Sequence, residues 1–262
     1  MDYNTIVFNK ENHIATITMN RPQRLNAIND QMINELIAAF DYVDNDDDIR
    51  VLILTGAGQA FCSGADIDLL ARAFSTQPVG VWEFIRRLQQ IVLHLHRLQK
   101  PTIAMINGPA TGGGFEIALA CDMRIASERS NFIVAAMRRG TIPDLGATWL
   151  MPRLMGMAKA AELIFTGDSL DAEEAYRIGL LNKLVSAADL EGETMSLARR
   201  IADGPPIAIR VSKVNLYRGL EVDLETALEL VSASVPLSVC SEDFQEGVNS
   251  FLEKRSAIFK GK

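Results

Sequence analysis

Two stretches of this chain set bare glycine turns directly before a carboxylate: Ser63-Gly64-Ala65-Asp66 and Gly112-Gly113-Gly114-Phe115-Glu116. Glycine lets another group approach the main chain closely. At a helix start the first N–H groups lack acceptors, and the helix dipole adds partial positive charge there. Two such turns aimed at one point would give paired N–H donors for an oxygen on which negative charge develops. Removing one donor from a site of that kind costs roughly 3–4 kcal/mol. The same glycines equally suit a tight strand-to-helix turn with close packing, so the pattern alone leaves both readings open.

Other chemistries find little support. His13, His94 and His96 are the only histidines. His94 and His96 stand two apart on an expected helix, so they diverge and make a poor ligand pair. No His/Cys/Asp spacing suits a metal, and neither a Gly-x-Ser-x-Gly elbow nor a phosphate-binding Gly-Lys-Ser/Thr loop is present. "GAGQAF" and "GGGFEI" lack the third glycine of a dinucleotide fingerprint. The net charge of −7 and the absence of a dense Lys/Arg run argue against nucleic acid. "DNDDDIR" (44–50) reads as a solvated turn. Cys62, Cys121 and Cys240 are odd in number and read as small buried hydrophobes, not as a disulfide framework. With no signal-peptide pattern and no apolar run of membrane length, a reducing, cytoplasmic setting is expected, without membrane contact.

These turns must be held by surrounding elements. Thr5–Phe8 and His13–Met19 read as an antiparallel hairpin about "NKEN". Asn29 or Asp30 caps a helix whose apolar face is Ile33, Leu36, Ile37, Phe40 and Val43. "VLILT" (51–55) is a buried-strand run leading into the first glycine turn. A second stripe, Val81 to Leu98, forms a helix closed by Lys100-Pro101, and "TIAMI" (102–106) leads into the second turn. Strand, glycine turn and acid-led helix thus occur twice, which predicts an α/β fold with parallel strands. After "DGPP" (203–206) only helical patterns remain. The chain accordingly divides into a core over 1–204, which holds the site, and a helical region over 205–262. The latter has too little core to stand alone and must pack on something.

"RPQRLNAI" (21–28), "LTGAGQAFCSGADI" (54–67), "KPTIAMINGPATGGGFEIALACDMRIA" (100–126), "GTIPDLGATWLMPRLMG" (140–156) and "EGVNSFLEKRSAIFKGK" (246–262) resemble the enoyl-CoA hydratase/isomerase (crotonase) superfamily nearly end to end. The resemblance implies a spiral of ββα units with a C-terminal helical trimerisation region, as a homotrimer or dimer of trimers. It implies an acyl-CoA substrate handled without metal or organic cofactor. The N–H groups of Ala65 and Gly113 would form the oxyanion hole for the thioester oxygen, with Glu116 entering the site behind them. Coenzyme A would lie along Arg24, Leu25, Ala27, Ala65 and Ile67, with Phe251 and Lys254 supplied by a neighbouring subunit. Leu69, Leu70 and Phe74 suit an acyl pocket and core packing equally.

Two departures bear on the reaction. Hydratases of the superfamily carry a second glutamate where this chain has Ala136, and an alanine transfers no proton. Their "IPGAGG" reads "IPDLGA" (142–147) here, which puts Asp144 where its dienoyl-CoA and ring-epoxide isomerases carry an aspartate. The epoxide isomerase, however, lacks an acid at the position of Glu116. The expected activity is therefore a proton or double-bond shift on an unsaturated acyl-CoA by Glu116 and Asp144. The alternatives are a hydratase in which both acids position water for a cyclic dienoyl substrate, and a non-catalytic binding protein of the same fold. On its residues alone, Asp144 reads equally as the cap of a helix beginning there.

Overall fold

Residues 51–56 show how a short apolar run becomes a strand covered on both faces. Leu52 and Leu54 enter one core cluster, while Val51 and Ile53 enter another. Alternation of side chains about the strand produces this division. The computed structural model describes residues 3–75 and 77–262. The strands β1 (Ile6–Glu11), β2 (Ile14–Met19), β3 (Val51–Gly56), β4 (Thr102–Ile106), β6 (Met123–Ser127) and β9 (Lys183–Val185) form a sheet in the order β1-β2-β3-β4-β6-β9. β1 and β2 are antiparallel, and the remaining pairs are parallel. A second, three-stranded sheet joins β5 (Ala110–Thr111), β7 (Asn131–Ile133) and β8 (Ser169–Asp171) in the order β5-β7-β8.

α1 (Asp30–Asn45), α3 (Pro78–Arg97), α4 (Gly113–Ala120) and α5 (Ala147–Met155) contribute to the larger core cluster. α8 (Leu190–Ala202) covers the opposite face through Leu190, Ala198 and Ala202. α2 (Ile67–Phe74), α6 (Met157–Thr166) and α7 (Ala172–Arg177) lie between these, and α9 (Pro206–Gly219), α10 (Leu224–Val239) and α11 (Glu242–Glu253) end the chain. Among the described residues, no helix is long and apolar enough to cross a membrane.

Asn29 caps α1, its side chain accepting the Met32 N–H at 2.9 Å. Ile33, Leu36, Phe40 and Val43 are buried, with Ile37 partly so. The first hairpin turn differs from expectation. β1 continues to Glu11, and the reversal falls on Asn12 and His13 at φ +50° and +66°. Two left-handed residues match the twist of a two-residue hairpin, which outweighs the polar "NKEN" pattern. Cys62 and Cys121 are buried as expected, but Cys240 is exposed at the end of α10.

α9 docks on the core through polar groups. Lys213 Nζ pairs with Asp122 at 2.7 Å and donates to the Lys100 carbonyl at 2.9 Å. Tyr217 donates to the other Asp122 oxygen at 2.6 Å. α10 has no buried residue, and Leu224, Leu228, Val231, Val235, Leu237 and Val239 are all exposed.

Candidate active site

The two glycine turns meet backbone to backbone. A methyl group on Gly114 would stand 2.1 Å from the Cys62 carbonyl oxygen, and one on Gly64 would stand 2.9 Å from the Thr111 oxygen. Gly64 is also left-handed, at φ +90°. These two glycines are required by close packing, so for them the purely structural explanation holds. The turns are stitched by the Thr111 N–H to the Cys62 carbonyl at 2.9 Å and by a parallel bridge between Cys62 and Ala110.

Ala65 and Gly113 stand where the turns converge, and both are partly exposed while Gly64 and Gly114 are buried. A Cβ on Gly113 would lie 3.9 Å from the Ala65 nitrogen, and one on Gly64 would lie 3.2 Å from the Gly113 nitrogen. Ala65 bridges Ile28: the Ile28 N–H donates to the Gly64 carbonyl and the Asp66 N–H donates to the Ile28 carbonyl. The strand-like alternation of that bridge turns the Ala65 N–H to the other side. Gly113 is the first residue of α4, so its N–H has no intrahelical acceptor. Among the described residues, neither N–H has a protein partner.

Asp66 caps α2 and is held by Arg21, whose Nη1 donates to its carboxylate at 2.9 Å and to the Ala27 carbonyl at 2.5 Å. The Asn26 side chain, fully buried, donates to the carbonyls of Ala57 and Ala60. Both residues brace the Ala65 turn across gaps of tens of residues, and no local spacing in the sequence announces them.

Glu116 belongs to a helix that is apolar all round and buried, and it is only 3% exposed itself. Its Oε2 accepts the N–H groups of Ala147 at 2.7 Å and Leu145 at 2.9 Å. Burial pushes the Glu116 carboxyl up to about 7; the Ala147 N–H opposes this, the Asp144 charge adds to it, and the N–H groups of Leu145 and Asp144 oppose it further. Asp144 is half-buried, and burial raises its carboxyl as well. The helix after it begins at Ala147 with Gly146 as its cap, so Asp144 caps nothing. Ala136 opens a single 3-10 turn, Met137–Arg139, directly after Ala135, whose Cβ lies 3.8 Å from where a Cβ on Gly112 would stand.

Arg24, Leu25, Ala27 and Ile67 gather around the Ala65 turn. The Ser63 N–H donates to the Leu25 carbonyl at 3.0 Å, and Arg24 lies 3.6 Å from Asp68. Leu25 and Ile67 are exposed and Ala27 is buried. Phe251 and Lys254 are not brought to this turn: Phe251 lines a separate hollow of about 480 Å³ with Phe244 and Phe259, and Lys254 ends α11 in a left-handed conformation. Leu69 is buried and Leu70 half-buried, while the Phe74 side chain lies outside the described residues.

The profile of the enoyl-CoA hydratase/isomerase family matches residues 9–262. The chain belongs to that family. It is 36% identical to a short-chain-enoyl-CoA hydratase of Clostridium acetobutylicum over 97% of each chain. It is 37% identical to a 1,2-epoxyphenylacetyl-CoA isomerase of Escherichia coli over 98% of each. The crystal structure of an enoyl-CoA hydratase from Bacillus anthracis superposes with a TM-score of 0.95 at 34% identity, covering 99% of this chain and 100% of that one. This family member therefore has the crotonase fold, within a class that spans both hydration and isomerisation.

Proposed function

We propose that the protein is an acyl-CoA isomerase that moves a proton between carbons of an unsaturated thioester. The N–H groups of Ala65 and Gly113 hold the thioester oxygen. Asp144 removes a proton from the acyl chain, and the electron pair passes onto that oxygen as an enolate. Glu116 returns a proton at another carbon while the double bond shifts, and exchange with solvent restores both carboxyls. The negative charge of Asp144 is one cause of the raised Glu116 carboxyl, which supports Asp144 as the base and Glu116 as the acid. A carboxyl near 7 suits an acid at neutral pH. No resident metal or organic cofactor enters these steps.

One observation carries the reading: the loop bearing Asp144 is hydrogen-bonded onto the buried Glu116 carboxyl through the Leu145 and Ala147 N–H groups, whereas the position of the second hydratase glutamate holds Ala136. Arg24 and the exposed backbone around Leu25 and Ile67 support coenzyme A binding on a chain whose overall charge does not favour it. The uncovered apolar row of α10 supports assembly as a homotrimer or a dimer of trimers, with Phe251 and Lys254 reaching a neighbour's ligand.

The test is to incubate trans-2- and trans-3-enoyl-CoA thioesters with the enzyme in heavy-oxygen water. A product with a moved double bond and no added oxygen is expected. Asp144→Asn should lower kcat by roughly 10²–10⁴-fold, and unchanged turnover would overturn the role. The relatives' names favour one second reading, hydration with both acids on water, and uptake of heavy oxygen would establish it.

A further inference from the structure

The loop carrying Asp144 is gripped from both sides through a single peptide unit. On one side the Gln89 amide on α3 donates to the Asp144 carbonyl at 2.9 Å. On the other, the Leu145 N–H donates to Glu116 Oε2 at 2.9 Å. That carbonyl and that N–H belong to one planar peptide, with oxygen and hydrogen on opposite edges. Gln89, the peptide and Glu116 are therefore joined in line, from α3 through the loop to α4. A hydrogen bond accepted by a carbonyl polarises its peptide, which strengthens the hydrogen bond its N–H gives. The hydrogen bond from Gln89 is the one that fixes the carbonyl edge among the described residues.

We propose that Gln89 is a positioning residue for both acids: by holding the Asp144–Leu145 peptide from α3, it sets where the Asp144 carboxyl stands and how strongly the Leu145 N–H grips Glu116. The proposal rests on the reading of Asp144 and Glu116 as the proton-transfer pair. Its structural content holds in the ligand-free protein.

Asp144 is the charged group that bears on Glu116. α3 turns Arg86 to Trp82, Arg87 to Asp30, His94 to Asp41 and His96 to Trp149 and Tyr217. Glu83 and Arg97 of α3 are exposed. α5 lays Arg153 over the Trp149 ring, and β5 contains no titratable residue. A change at Gln89 therefore reaches Glu116 through the loop.

The experiment follows the Glu116 and Asp144 carboxyl carbons by carbon-13 NMR against pH in unliganded protein, with E116Q and D144N assigning the signals. Gln89→Met keeps the length and removes the donor. The expected result is a Glu116 midpoint moved above the wild-type value and a displaced Asp144 signal. With an enoyl-CoA, kcat should fall about tenfold while KM stays within about twofold, since the change acts on chemistry and not on binding. Gln89→Glu gives the internal rescue. Compared with wild type at the same pH, its protonated form donates to the Asp144 carbonyl again and returns both carboxyl-carbon shifts, though not the Glu116 midpoint; ionised at higher pH, it repels that carbonyl and loses them. This pH-gated rescue also serves if Q89M folds poorly. Glu116 and Asp144 signals in Q89M identical to wild type, with only the melting temperature lowered, would overturn the proposal. If the signals move but neither D144N nor E116Q alters turnover, the positioning stands and the assignment of the acids to catalysis is what fails.

Discussion

The Gly113 N–H can be removed by proline without breaking a helix hydrogen bond. Gly113 is the first residue of α4, the helical position where proline is best tolerated because its missing N–H would have no intrahelical acceptor. Gly112 before it sits at φ +53°, ψ −125°, outside the α region that a following proline disfavours. Any side chain at 113 brings a Cβ within 2.9 Å of Leu145 Cδ1, the movable end of a side chain. Gly113→Ala carries that same cost but keeps the N–H. Proline also places its Cδ where the hydrogen pointed, so the ratio of G113A to G113P reads the lost donor together with exclusion of the oxygen, a loss of at least about 10²–10³-fold in kcat/KM. KM should rise as well, because the ring crowds the bound thioester. The assay is steady-state turnover of an enoyl-CoA by both variants, with circular dichroism and thermal melts to confirm equal folding. If folded G113P turns over within about threefold of G113A, this N–H does not hold the developing oxyanion, and the reasoning built on the two turns fails.

Three further outcomes follow from the same geometry. Glu116 binds its proton more tightly folded, at about 7, than an ordinary glutamate does at 4.5. That stability is fully present below the unfolded value and is lost as pH rises through about 7; the difference corresponds to order 3 kcal/mol. Glu116→Gln should therefore melt above wild type at pH 8 and show a shrinking advantage toward pH 5; a constant offset would contradict the burial account. Ala136→Glu supplies an acid at the position of the second hydratase glutamate, and should raise heavy-oxygen incorporation into product measurably above wild type. Lys213→Met leaves Asp122 without its cation, half of a nearly buried pair. It should destabilise by roughly 3–5 kcal/mol in chemical denaturation, with a smaller loss in Lys213→Arg.

What the sequence revealed depended on how local the cause was. The strands at 51–55 and 102–106 and the α1 stripe were legible because burial imposes a short period on neighbouring residues. The hairpin turn was misplaced because left-handed Asn12 and His13 leave no mark in composition. Ala65, Gly113 and Glu116 were singled out through glycine turns and family likeness. Arg21, Asn26 and Gln89 were not, since each acts on a carbonyl or carboxylate that the fold alone brings near. Cys240 looked like core by type, yet sits on a helix whose apolar surface the single chain leaves open.

The contact of Gly114 with the Cys62 carbonyl has an evolutionary consequence. A donor built from main chain is supplied by any amino acid except proline, so position 65 is free to drift among small residues while the chemistry persists. The neighbouring positions 64 and 114 cannot drift in the same way, because a side chain there would meet main-chain oxygen. Random mutagenesis scored for activity should thus find positions 64 and 114 as intolerant as the reacting acids, while position 65 between the turns accepts change.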